Sequence, residues 1–289
     1  MAITKIANIT ANAREIDFVT RFASNWQALA EIIGITRPIR KTPGTTLVSY
    51  TASISLENSV AEGEVIPFST ASVVEAAKSD LTIEKYAKAV SIEAVSKYGA
   101  AVAVQKTDEA FLSQLQSNVM DRFYTFLGTG TLTDTATSFQ EGVAKSIGLV
   151  RNKFKSMHKD ITNVVTFVNI LDAYEYLGAA NLTVQTAFGI DYIEKFMGAT
   201  IIMTSEIESG TIISTPVDNM VAYYIDPADS EFGQLGLDYT VSGDTNLIGF
   251  HVEGEYDRAI GAVYALMGFT LWAEYLDGIS VVTVKSDGE

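Results

Sequence analysis

Cysteine is absent from the 289 residues. That excludes disulfides, thiolate metal sites and cysteine nucleophiles, and it suits a reducing compartment. Proline is scarce, at 5 residues, so little of the chain is barred from regular structure. The only histidines, His158 and His251, stand far apart with no serine partnered to either by motif. Positive charge is also short: 20 Lys and Arg face 35 Asp and Glu, for a net charge of −15. Such a chain lacks the basic surface that ordinary nucleic-acid binding uses. The opening MAITKIANIT has no apolar h-region, so no signal peptide is expected. The longest apolar run, Ala259–Ala273, stops at Glu274 and falls short of the ~20 residues that cross a bilayer. It reads as buried strand, and no membrane segment is expected.

Catalytic signatures are missing as well. There is no GxSxG, GxxxxGK[ST], HExxH or EF-hand loop. Gly128-Thr-Gly130 lacks the third glycine of a dinucleotide fingerprint and follows a helix, so it reads as a helix stop. One constellation has the right residue types for a metal: His251, Glu253, Glu255 and Asp257 alternate with Val252, Gly254, Tyr256 and Arg258. Period two puts the four on one strand face. Residues two apart on a strand are ~6.5–7 Å apart along its axis, too far for all four to meet one ion. They read as a solvated or intersubunit strand face. The expectation is therefore no catalytic residue, no metal and no cofactor.

What is present is enough apolar material for a core, with 47% hydrophobic and 19% charged residues. The charge is uneven. Residues 1–45 hold six Lys/Arg against three Asp/Glu, net +3, and residues 200–289 hold two against fifteen, net −13. A basic arm beside an acidic body suits contacts between identical subunits. Within the arm, Phe18, Phe22, Trp26, Leu29 and Ile33 form one helical stripe, with Gly34 at its end and Pro38 and Pro43 in an extended connector.

From Thr45 the period changes to two. TTLVSYTASISL and SDLTIEKYAKAVSI read as the two strands of a long hairpin. Between them lie about two dozen residues centred on EGEVIPFST (Glu62–Thr70), and loops this long inside a domain are usually functional. Ser91 caps a short helix that Gly99 ends. A longer helix runs to about Leu127, striped by Phe111, Leu115, Val119, Phe123 and Phe126. Ser138 and Glu141 have capping-box spacing at the start of the next helix. NVVTFVN reads as a buried strand, Asn169 as the cap of a short helix, and residues 191–197 as a helix leading to the strand ATIIMTS. TIIST and Val221–Ile225 add two more strands. From Leu247 three runs, LIGFHVEGEYDR, AIGAVYALMGFTLWAEYL and GISVVTVK, read as antiparallel strands. The fold class is α+β.

Four segments in this order carry a resemblance: AEGEVIPFS (Ala61–Ser69), KYAKAVSIEAV (Lys85–Val95), DRFYTFLGTGT (Asp121–Thr131) and MGATIIMTSEIESGTIIST. Together they resemble the tailed-bacteriophage major capsid proteins of the Hong Kong 97 type, in which an acidic-Gly-Ile-Pro loop tip, a basic strand entering Ser-x-Glu and a helix ending in Leu-x-Gly-x-Gly follow one another. The resemblance spans about 2–284. It implies an N-terminal arm (1–45), an extended loop (46–90), a peripheral domain with a long spine helix (91–130), an axial domain (131–245) and closing peripheral strands (246–289). It implies a structural protein that builds hexamers and pentamers of an icosahedral head around double-stranded DNA, without sequence-specific DNA binding. Its location is then the virion, after assembly in the host cytoplasm. A shell of encapsulin type is the alternative, and a soluble α/β enzyme with an unread site ranks below it.

Some such proteins carry a cleaved scaffold domain ahead of the arm. Here Met1 opens directly in the arm, so a separate scaffolding protein and a portal are expected, with a decoration protein as a further partner. Some crosslink a loop lysine to an asparagine. Residues 57–74 contain no lysine, so non-covalent joints are expected. The expected intersubunit contacts are Glu62, Glu64, Ile66 and Phe68 on a neighbouring subunit, with Arg37, Arg40 and Lys41 paired to a neighbour's carboxylates.

Overall fold

The computed structural model describes residues 6–33, 38–55, 63–65, 68–178, 185–187, 190–241 and 246–285. The first helix, α1 (Ile6–Ile33), places Phe18, Phe22 and Trp26 of the expected stripe in the chain's own core, while the side chains of Leu29 and Ile33 lie outside those described. Phe18, Phe22 and Trp26 are buried, while Asp17, Arg21 and Gln27 between them face water. After α1 the connector runs as β1 (Ile39–Arg40), then β2 (Thr46–Ser55) and β3 (Thr70–Asp80) form a two-stranded sheet. Next come β4 (Glu84–Ser91), α2 (Ile92–Tyr98), a π-helical stretch (Ala101–Lys106) and α3 (Thr107–Leu127).

The second half begins by alternating strand and helix, with β5 (Leu132–Ala136), α4 (Phe139–Ser156), β6 (Val164–Asn169) and α5 (Ile170–Leu177), and continues through the strands β7 (Gln185–Ala187), β8 (Ile190–Phe196), β9 (Ala199–Thr204), β10 (Thr211–Pro216) and β11 (Met220–Ile225) to α6 (Ser230–Gln234). The chain closes with β12 (Ile248–Glu255), β13 (Ile260–Ala273) and β14 (Ser280–Val284). No helix among the described residues is long and apolar enough to cross a membrane.

Two larger sheets organise these elements. A seven-stranded sheet has the order β5-β14-β10-β6-β9-β8-β7, and a five-stranded sheet joins β1, β11, β13 and β12 with β4 on β13. The seven-stranded sheet is a wall between two cores, which the alternation of strand side chains makes possible. Val165 and Phe167 of β6, Ile202 of β9 and Ile213 of β10 face the main core. Their neighbours Val164, Val168, Ile201, Met203 and Ile212 face the second. The second core is closed by α4 through Val143, Ile147, Val150 and Phe154. The main core is closed by α3, where Phe123 meets Phe167 edge-on at 5.8 Å, and by α1, where Phe18 stacks on Phe250 at 4.9 Å and Trp26 meets Phe269 edge-on at 4.6 Å.

The caps read from sequence form. Ser91 accepts from the Ala94 amide, Ser138 from the Glu141 amide and Asn169 from the Leu171 amide. Glu141 does not reach back to Ser138 but one residue further, to the amide and hydroxyl of Thr137. The Gly128-Thr-Gly130 stop has a steric reason. A Cβ on Gly130 would lie 2.7 Å from the Ile279 side chain and 2.8 Å from its carbonyl oxygen.

Three expectations are corrected. Residues 191–197 do not form a helix: β8 pairs antiparallel with β9 through Met197 and Gly198, both at positive φ (52° and 78°). Two successive positive φ values make the mirror-image turn whose twist suits a hairpin, and this pairing overrides the helical leaning of Glu194 and Lys195. The second hairpin strand is not the alternating run after Ser79 but β3, which pairs with β2 from Thr46↔Asp80 to Ser55↔Thr70. The run is strand all the same, yet as β4 it pairs with β13. Finally, the three closing runs do not stay together. The third, β14, leaves β12 and β13 for the other sheet, where it lies parallel to β5 and antiparallel to β10.

Candidate functional site

Among the described residues, the outer half of the β2–β3 hairpin is exposed, and only its base is held by the rest of the chain. Its base is fixed. Ser49 is fully buried and donates its hydroxyl to the Ala273 carbonyl, and the Tyr50 amide donates to Glu274 O at 2.8 Å. A register shift follows at this point, with Ser49 opposite Ala77 but Tyr50 opposite Glu75, so Ala76 is an extra residue. Such a bulge bends the strand carrying it. Leu47 and Leu81 bury against Ile225 and Trp272 below the bulge. Beyond it the support ends, and Phe68 to Glu75 are all exposed. A ten-residue strand is ~33 Å long, and an isolated two-stranded hairpin is marginal in water.

At the tip Val65 is 93% exposed and Phe68 96% exposed, and Glu64 is exposed beside them. Glu62, Ile66 and Arg37 lie outside the described residues. Arg40 meets carboxylates of its own chain: its guanidinium donates to Asp229 at 2.9 Å and lies 3.5 Å from Asp226. The bond to Asp229 and the charge of Asp226 raise its pKa above the usual arginine value. Its side chain is still half exposed. Lys41 sits over the Tyr223 ring at 5.6 Å and donates its amide to Tyr224 O.

The α1 helix is tied down by adjacent charges of opposite sign. Arg14 donates its Nε to Asp108 at 2.8 Å, and Lys88 pairs with the same carboxylate. Asp108 lies in the first turn of α3, where a negative charge suits the helix dipole. Glu15 is 4% exposed. It accepts from the Thr240 hydroxyl and the Val252 amide, both at 2.5 Å. Nothing in the spacing of Arg14 and Glu15 announced these partners, which lie 94 and more than 200 residues away.

The carboxylate row on β12 disperses. His251 Nδ1 lies 3.6 Å from Glu15 and its Nε2 lies 3.9 Å from Glu253. Glu255 takes the Tyr264 hydroxyl at 2.6 Å and lies 3.4 Å from Arg258. Asp257 falls in the turn after the strand. Elsewhere a polar cleft of about 340 Å3 between α3 and the β9–β10 turn holds Asp121 and Glu206. Burial and the charge of Glu206 hold the Asp121 carboxyl above the ordinary aspartate range, against a 3.3 Å bond from Ser117.

The mixed α and β fold described above is similar to that of solved phage capsid chains. Three solved structures carry this assignment. The capsid asymmetric unit of cyanophage A-1(L) is similar with a TM-score of 0.54 and 9% identity, over 88% of this chain and 91% of that one. The mature capsid of bacteriophage PhiM1 is similar at 0.53 and 6% identity, over 86% and 85% of the two chains. A Mycobacterium phage Ogopogo chain is similar at 0.52 and 11% identity, over 88% and 91%. Comparison by sequence gives no match to a protein-family model or to a curated protein. The likeness is therefore one of fold, and it bears out the expected tailed-phage major capsid fold.

Proposed function

We propose that the protein is the major capsid subunit of a tailed-phage head of the Hong Kong 97 type. It assembles as hexamers and pentamers into an icosahedral shell around double-stranded DNA. The observation that carries this reading is the hairpin. Val65 and Phe68 stand almost fully in water at its tip, apolar surface that a neighbouring subunit would cover. At ~25 cal/mol per Å2, two such side chains contribute a few kcal/mol gross per contact, much of it offset by ordering and association. Contacts of that size are weak enough to correct errors during assembly.

The division of labour we propose is an arm over 1–45, an extended hairpin over 46–80, a peripheral part built on β4, α3, β11, β12 and β13, and an axial part built on the seven-stranded sheet with β14 in it. Glu62, Glu64, Ile66 and Phe68 contact a neighbouring subunit. Arg37, Lys41 and the half-exposed Arg40 face its carboxylates. The joints are non-covalent, and a separate scaffolding protein and a portal take part in assembly.

The test is electron microscopy of the purified assembly, with its contents analysed. Closed shells containing DNA support the reading. Shells filled with a cargo enzyme mean a compartment of encapsulin type, and a monomer or dimer under every condition refutes both shells. Replacing Ile66 and Phe68 with Asp should leave a folded subunit that no longer closes shells.

A further inference from the structure

The polar cleft between α3 and the β9–β10 turn, about 340 Å3 in volume, gathers oxygens from three parts of the chain. Asn25 comes from α1, Ser117, Asp121 and Tyr124 from α3, and Thr204 and Glu206 from the end of β9 and the turn. Asp121 and Glu206 bring two negative charges, and no basic residue lines the cleft. Among the described residues neither carboxylate has an ion pair. Asp121 accepts from Ser117 at 3.3 Å and Glu206 from Ser205 at 3.0 Å, both neutral donors. Burial and the charge of Glu206 raise the Asp121 carboxyl, so the two acids repel across the cleft.

A buried hydroxyl points the same way. Tyr124 is 5% exposed and packs its ring edge-on against Phe167 at 5.7 Å. Its Oη is nevertheless buried without a hydrogen-bond partner among the described residues. Thr204 lies near it but outside bonding geometry. The charges of Asp121 and Glu206 both act on this hydroxyl, which places it beside the two carboxylates, and burial keeps it protonated and neutral. A buried polar group without a partner is costly. Here it has lone pairs free for a cation or for a water that the cation carries. Gln116 Nε2, buried without a partner on the same wall, suits a water held there.

We infer that the cleft binds a hard divalent cation, Mg2+ or Ca2+, held by Asp121 and Glu206 with the Tyr124 hydroxyl beside them. Carboxylate, hydroxyl and water oxygens suit these ions over softer metals. Among the described residues no third carboxylate or imidazole joins the pair. An ion bound through one or two carboxylates keeps several waters, and the cleft has room for them. The ion ties α1, α3 and the seven-stranded sheet together at a point where the two acids alone repel. The site belongs to the single subunit and does not depend on shell formation.

Thermal melts of the whole chain test the site, with Ca2+ or Mg2+ titrated at constant ionic strength. At ten times its dissociation constant the ion should raise the folded-to-unfolded ratio about elevenfold, or about 3 °C in melting temperature for a chain of this size, and EDTA should reverse the rise. The double variant Asp121→Asn, Glu206→Gln should melt no lower than the parent in EDTA, because the repulsion is gone, and should lose the response to either ion. Equal responses of parent and variant mean general screening of a chain of −15, an adventitious ion only, and overturn the site. Absence of any response in the parent overturns it too. If the double variant does not fold, Asp121→Asn alone gives the same comparison. Tyr124→Phe separates ligation from packing. Removing an unpartnered hydroxyl should leave the melt in EDTA unchanged or raised and weaken ion binding by about tenfold. Equal losses with and without the ion show a hydroxyl that serves the fold alone, and overturn its place in the site.

Discussion

Replacing Phe18 with alanine tests whether the first helix is part of the subunit core or a detachable arm. Phe18 is 1% exposed and stacks on Phe250, itself 0% exposed, at 4.9 Å between ring centres. A buried phenylalanine removes about 200 Å2 from water, or about 5 kcal/mol at 25 cal/mol per Å2. Buried Phe→Ala substitutions cost about 3–5 kcal/mol once the remaining cavity is included. With an m-value of about 3 kcal/mol/M in urea for a chain of this size, the midpoint should fall by about 1–1.7 M. The assay is urea unfolding of the unassembled subunit, followed by far-UV circular dichroism. Ile16→Ala, at a position 56% exposed on the same helix, should change stability by no more than about 0.5 kcal/mol. Two equal, small shifts would refute the packing of α1 on β12, because an undocked helix does not distinguish its two faces.

Asp108→Ala should destabilise the subunit by about 3 kcal/mol, since it strands both Arg14 and Lys88 in a half-buried site; combining it with Lys88→Met should recover part of the loss in a thermal melt. Gly130→Ala should cost about 1–3 kcal/mol through overpacking, because the new methyl meets Ile279 at 2.7–2.8 Å, and it should lower the melting temperature although the glycine's own φ is ordinary. The bonds from Thr137 and Lys145 hold the Glu141 carboxyl down to about 2. Its folded pKa thus lies below its unfolded value, so the capping contribution is complete above about pH 4.5 and is lost as pH falls toward 2. Carboxyl-resolved NMR titration should find a midpoint near 2 in the parent and one moved back up in Thr137→Val.

Elements whose signal is local were legible in the sequence. The stripe Val143, Ile147, Val150, Phe154 and the cap Ser138 fix α4 without reference to anything else, and NVVTFVN is apolar on both faces because cores lie on both sides of it. Elements whose signal is a partner were not legible. TASVVEAAKSD has no periodic apolar face, and β3 is a strand because β2 pairs with it. Residues 191–197 contain acceptable helix formers and became β8 because β9 supplies an edge. The candidate surfaces divide the same way. The hairpin tip stands out by its apolar, lysine-free composition. The apolar groove lined by Val90, Ile92, Val95, Val104 and Ile260 is assembled from β4, α2, the π-helical stretch and β13, and no one stretch of sequence contains it. Arg40 was legible as a charge seeking carboxylates, but not that Asp226 and Asp229 of its own chain supply them.

The position of β14 has a consequence for timing. It lies between β5 and β10, so the seven-stranded sheet stays in two pieces until residue 284 has been synthesised. The hairpin, complete at Asp80, precedes that event by about 200 residues, or about 10–40 s at 5–20 residues per second. Throughout that interval the nascent chain displays its exposed apolar tip without a finished body behind it. Glutamates beside it suit gatekeepers between neighbouring ribosome-bound chains, and the subunit body is complete only when its last strand slides into place.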